Sequence, residues 1–177
     1  MPSGRSHDVV TILLAPFACG AAYLAIREPI AAAVVTVSFI FGGLMFGPDL
    51  DTVSLQYSRW SVLRFLWYPY RSFFPHRSRF SHGLTFGALL RVIYFLGMIT
   101  TLFVVGFAIY AYFSGSAMAM FADVESFWTG LGRLTRQSLP RYFLPAVFVG
   151  MWLGAASHTF TDMAGSFVKT GRVAKFL

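Results

Sequence analysis

Charge in this chain is confined to short stretches between long apolar ones. Residues 9–26 run for 18 positions without Asp, Glu, Lys or Arg, 29–48 for 20, 92–122 for 31 and 142–161 for 20. A helix rises 1.5 Å per residue, so about 20 apolar residues cross the ~30 Å hydrocarbon core of a bilayer. The third run exceeds one span, and with Arg91 tolerated near its start the helix is expected to begin close to Gly83. The pattern predicts an all-α polytopic bundle, one membrane domain over 1–177, with transmembrane helices at about 9–27, 30–48, 83–112 and 142–161. Segments 52–80 and 123–139 are expected to lie at the interface.

Composition sharpens this picture. The 177 residues are 56% hydrophobic, 18% aromatic and only 12% charged, where soluble domains carry roughly 25% charged residues. That excludes a soluble globular protein, and the length excludes a multidomain enzyme or a long repeat array. Arg5 ahead of the first run, with Ala18, Cys19, Gly20 and Ala21 late in it, superficially suggests a signal peptide. The run is longer than a typical signal core, Pro16 spoils a lipobox ending at Cys19, and cleavage would remove His7, so the membrane-span reading is preferred. Cys19 is the only cysteine, which rules out an intrachain disulfide and leaves a small packing residue.

With alternating helices, the N-terminus, residues 49–82 and the C-terminus share one side. That side holds Arg5, Arg59, Arg64, Arg71, Arg77, Arg79, Lys169, Arg172 and Lys175, against Arg27, Arg133, Arg136 and Arg141 on the other. Positive charge is retained in the cytoplasm during insertion, so both termini are expected there. The net charge of +7 and the arginine- and aromatic-rich stretch 52–80 raise nucleic acid as a partner. Between two spans the same composition describes an interfacial segment, rings at headgroup depth and guanidinium groups on lipid phosphates, so membrane lipids are the expected partner and nucleic acid is not.

The scarce chemistry-bearing residues gather on that same side. His7 and Asp8 precede the first span, and Asp49 and Asp51 follow the second in Gly47-Pro48-Asp49-Leu50-Asp51. His76 and His82 lead into the third, and His158 and Asp162 end the fourth. Mixed imidazole and carboxylate donors suit a borderline divalent ion, zinc first, with manganese or iron as alternatives, one ion or two. His158 and Asp162 stand four apart, on one helical face, and Pro48 places Asp49 and Asp51 in a turn. The expected ligands are His7, Asp49, Asp51, His76, His82, His158 and Asp162. Polar residues merely collected at headgroup depth are the bland alternative, but they would also be expected on the opposite side, which has no histidine. Small-residue pairs Gly43/Gly47, Gly83/Gly87 and Gly150/Gly154 suggest close helix packing beside these positions.

An amino-terminal His7, then GPDLD at 47–51, HRSRFSH at 76–82 and HTFTD at 158–162, resembles the membrane-bound metal-dependent hydrolase family over nearly the whole chain. It is most similar to an uncharacterised branch of predicted metal-binding membrane proteins, with starts of the MPSGR-x-HD type. The resemblance implies a metal-binding multi-pass protein and says less about a reaction.

Two functions follow as expectations. As a hydrolase at the cytoplasmic face, the chain would act on a phosphate ester or similar bond of a lipid-like substrate, with Asp49 or Asp51 as bridging ligand or base and Arg77, with Arg79, clamping the anion. As a non-enzyme, it would use a structural ion to clamp helix ends in an assembly or scaffold role. Transport is disfavoured because acids and histidines are absent from the middles of the spans.

Overall fold

In the computed structural model, residues 4–74, 83–114, 122, 124–130, 132–133 and 142–171 are described. Among them the order is α1 (Gly4–Ile26), α2 (Pro29–Met45), a 3₁₀ turn (Pro48–Asp51), α3 (Leu55–Arg59), a second 3₁₀ segment (Ser61–Trp67), α4 (Tyr68–Phe73), α5 (Phe86–Phe113) and α6 (Phe143–Thr170). There is no strand among the described residues. Three helices, α1, α5 and α6, are long and apolar enough to cross a membrane, while α2 is apolar but only 17 residues long. The sequence pattern ran the second helix on to residue 48, but Phe46 leaves helical geometry and Pro48 opens the 3₁₀ turn.

Local chemistry explains the ends. The Glu28 side chain accepts the Ala31 amide at 3.0 Å and Pro29 sits at the first helical position, so α2 starts as soon as α1 stops. The Ser54 hydroxyl accepts the Tyr57 amide at 3.1 Å and opens α3. The carboxyl end of α2 is sealed by side chains. The carbonyls of Gly43, Leu44, Met45 and Phe46 accept, in that order, from Gln56 at 3.4 Å, Arg59 at 2.8 Å, Trp60 at 3.2 Å and Arg91 at 2.7 Å. Those carbonyls have no intrahelical partner, and in an apolar setting each would cost a desolvation penalty if left bare. Gln56, Arg59 and Trp60 follow the i, i+3, i+4 spacing that puts three donors on one face of α3, and the two cations also complement the negative end of the α2 dipole.

The helices that carry the chemistry pack by backbone contact. A Cβ at Gly150 would come within 2.5 Å of the Val35 carbonyl oxygen, one at Gly154 within 2.0 Å of that of Phe39, and one at Gly42 within 2.3 Å of that of Met151. The α2–α6 interface therefore needs glycine on both sides. Gly43 instead accommodates Thr11 of α1, and Gly47, beyond the helix, accommodates Gln56.

The core cluster beside this interface is aromatic. Phe46, Trp60 and Trp67 meet edge to face, with ring centroids 5.3–5.6 Å apart, and Phe95, Tyr70 and Tyr94 extend the cluster. This corrects the expectation that the aromatic residues of 52–80 all lie at headgroup depth. Trp60, Trp67 and Tyr70 are buried because the short helices fold back over the end of α2, whereas Val62, Phe65, Tyr68 and Phe73 remain exposed. Elsewhere the outer faces of α1, α2 and α5 are apolar and uncovered, as at Phe17 (74% exposed) and Val37 (69%), a surface suited to lipid rather than water.

Candidate metal centre

α1 begins at Gly4, a turn and a half before the apolar run, so His7 belongs to the helix rather than to a segment leading into it. His7, Thr11 and Ala15 form its buried stripe at i, i+4 and i+8. That stripe faces α6, where the Thr11 and Ser157 hydroxyls lie 3.4 Å apart. α6 continues to Thr170, well past the end of its apolar run, which leaves His158 and Asp162 on consecutive turns of an unbroken helix.

The result is a buried cluster. His7, His158 and Asp162 are 2%, 1% and 3% exposed, and one donor atom from each lies within 4.8 Å of the others. His7 Nε2 is 3.3 Å from Asp162 Oδ1, and His158 Nε2 is 4.0 Å from Asp162 Oδ2. Asp49 Oδ2, on a side chain about one-third exposed, is also 4.0 Å from His158 Nε2. The two imidazoles stack, with ring centroids 3.7 Å apart and planes 4° from parallel.

These separations test whether the donors fit an ion. N–H···O hydrogen bonds are about 2.7–3.2 Å long, shorter than any of the three nitrogen–oxygen distances. Donors bound at about 2.0–2.2 Å stand about 3.3–3.6 Å apart in a tetrahedron and up to about 4.4 Å apart across an ion. The three nitrogen–oxygen distances fall within the second range. His7 Nδ1, on the ring edge away from Asp162, is buried with no hydrogen-bond partner among the described residues. Two imidazoles with carboxylates are the donor chemistry of zinc, manganese or iron.

Around this centre are residues that the sequence pattern did not single out. Gln56 is buried, and its amide nitrogen lies 2.7 Å from His158 Nδ1. Its only sequence signal is rarity, since the chain contains just two glutamines and no asparagine. Arg59 grips both carboxylate oxygens of Asp8 as well as the Leu44 carbonyl, which ties α1 beside His7 to the end of α2. Its partner is the partly buried Asp8 carboxylate rather than the lipid phosphate that the interfacial reading of 52–80 predicts. Arg91 is fully buried and interacts electrostatically with Tyr70, Asp51 and Asp49. Burial pushes the Tyr70 phenol above its ordinary range, and the neighbouring Arg91 guanidinium pulls the other way.

Of the expected ligands, the fold thus brings together His7, His158 and Asp162, with Asp49 at the edge. Asp51 is buried in the same 3₁₀ turn as Asp49 and, like it, interacts electrostatically with Arg91. His76, His82 and the expected anion clamp Arg77, with Arg79, lie outside the described residues.

An all-helical protein with membrane-length apolar helices and a buried His/Asp centre falls in the class of metal-binding helical proteins suited to a membrane. The chain belongs to the family described as uncharacterized metal-binding protein (DUF2227), which matches residues 2–172. No curated protein matches it, and no solved structure does.

Proposed function

We propose that the chain is a multi-pass membrane protein that binds divalent metal at the cytoplasmic ends of its helices and uses it to hydrolyse a phosphate ester or similar bond in an amphiphilic substrate. The observation that carries this reading is the meeting of His7 from α1 with His158 and Asp162 from α6, and Asp49 beside them. The excess of arginine and lysine flanking these helix ends supports the cytoplasmic assignment. α2, although short, would complete a fourth span, since 17 residues reach the lower end of the range for a transmembrane helix.

When bound, a divalent ion supplies Lewis acidity and makes water acidic near neutral pH. His7, His158 and Asp162 would supply the metal donors, with zinc as the first candidate. Asp49 has the exposure the other three lack, and would join them as the donor on the side open to water. Gln56 keeps the His158 ring in position through Nδ1. Arg77 is the proposed clamp for substrate phosphate.

A second reading is favoured by burial of the three central donors to 1–3% exposure. An ion enclosed there would tie α1 to α6 and serve the fold alone.

Metal analysis of detergent-purified protein, followed by assay on phospholipids, lipid pyrophosphates and simple phosphodiesters, separates the two. The hydrolase reading expects metal-dependent turnover that Asp49→Ala abolishes while thermal unfolding changes little. Chelation that only lowers the unfolding temperature, with no hydrolysis of any of these substrates, would establish the structural ion instead.

A further inference from the structure

The nitrogen–oxygen distances at the centre suit one ion or two, but the histidine rings distinguish them. An imidazole nitrogen binds a metal along its lone pair, which lies in the plane of the ring. The His7 and His158 planes are 4° from parallel with centroids 3.7 Å apart, so the two lone-pair planes run side by side and do not meet near the rings. The planes are at most 3.7 Å apart, so a single ion shared equally would sit up to about 1.8 Å out of each, and at a bond of about 2.1 Å that is a tilt of up to roughly 60° from the lone pair. Such an ion would bond poorly to both histidines.

Asp162 shows the other arrangement. Its two oxygens are divided between the rings, Oδ1 towards His7 Nε2 at 3.3 Å and Oδ2 towards His158 Nε2 at 4.0 Å. A carboxylate presented this way bridges two neighbouring ions, one per oxygen. The stacking distance of the rings falls within the ~3.5–4 Å spacing of two-metal centres. The two positions also differ in their further donors, because Asp49 Oδ2 lies 4.0 Å from His158 Nε2. Gln56 supports the His158 ring only.

We infer that the centre is dinuclear: His7 and His158 each hold a separate divalent ion, Asp162 bridges the pair, and Asp49 completes the His158 position. This rests on the reading that the cluster binds metal, and it specifies how many ions there are and which residue joins them. Two neighbouring cations would also neutralise a doubly charged phosphate group better than one, which fits a phosphoester substrate.

The test uses the full-length protein in detergent, stripped with chelator and reloaded with Zn²⁺ for stoichiometry or Mn²⁺ for electron paramagnetic resonance. Two Zn²⁺ per chain and a spin-coupled Mn²⁺ spectrum are expected. His7→Ala should reduce the stoichiometry from two to one and abolish the coupling, and Asp162→Asn should abolish the coupling and weaken the second binding event at least tenfold. Circular dichroism checks that each variant folds, and the wild-type stoichiometry and spectrum remain decisive if one does not. Saturation at one ion, lost equally in His7→Ala and His158→Ala, would overturn the dinuclear inference and leave metal binding intact. No retained metal in the wild-type protein would overturn both.

Discussion

Gln56 on α3 touches His158 on α6, its amide nitrogen 2.7 Å from His158 Nδ1. The same amide nitrogen reaches the Gly43 carbonyl of α2 at 3.4 Å, so one buried side chain connects the end of α2 to a candidate ligand. With the amide donating to Nδ1, the imidazole proton resides on Nε2, the atom that faces the carboxylates. Metal binding at Nε2 displaces that proton, and an Nδ1–H then needs an acceptor, which Gln56 Oε1 provides if the amide turns over.

Replacing Gln56 by Leu should therefore weaken metal binding by about 10–100-fold, the usual cost of losing a residue that orients a ligand histidine. Competition with a chromophoric chelator measures the affinity. A helical content equal to wild type together with unchanged affinity would remove Gln56 from the centre.

Gly154→Ala tests the contact that sets the distance between α2 and α6. The added Cβ would lie 2.0 Å from the Phe39 carbonyl oxygen and 2.7 Å from the Gly43 amide nitrogen, both backbone atoms with no freedom to turn aside. Overpacking of this kind costs about 1–3 kcal/mol, and His158 stands one helical turn beyond the clash. Thermal unfolding in detergent should show the loss. Gly20→Ala serves as the control, since no atom lies within 4 Å of a Cβ there.

The Asp8–Arg59 ion pair should behave as a fork rather than a point charge. Arg59 uses both terminal nitrogens on Asp8 and shares one with the Leu44 carbonyl, so Arg59→Lys keeps the charge and loses the geometry. A double-mutant cycle with Asp8→Ala is expected to give a coupling of about 1 kcal/mol, and Arg59→Lys should recover less than half of it. Full recovery by lysine would reduce the contact to simple charge attraction.

Membrane orientation can be measured by cysteine labelling after Cys19, the one native cysteine, is replaced by serine. Probes at positions 5, 55 and 172 should be blocked by reagent on one side, and a probe at 125 by reagent on the other. A probe at 125 that labels together with 172 would rule out the four-span arrangement.

What the sequence by itself determined was the helical class of this fold and the economy of its chemistry. Four uncharged runs favour helices that shed water, and three of the helices that form are long and apolar enough to cross a membrane, where every backbone group must be bonded internally. The GPDLD turn and the i, i+4 pair His158/Asp162 were legible for the same local reason, since proline geometry and helical periodicity act over a few residues. Local periodicity did not place the start of α1. Burial of His7 against α6 accompanies a helix that reaches back to Gly4, and that packing is not written in the apolar run itself.

The tertiary structure alone decided which donors meet and what stands behind them. Glutamine at 56 is an unremarkable polar residue until α3 folds against the exposed carbonyls of α2, where a buried amide becomes the partner of both Gly43 and His158. Arg59 similarly reads as a lipid-facing cation in one dimension and Arg91 as a charge tolerated at the start of a span, yet both satisfy helix-end carbonyls in three. The physical reason is that desolvation acts on groups according to their surroundings in space. A chain with so few polar atoms has to pair them across the bundle, and sequence distance places no limit on which pairs form.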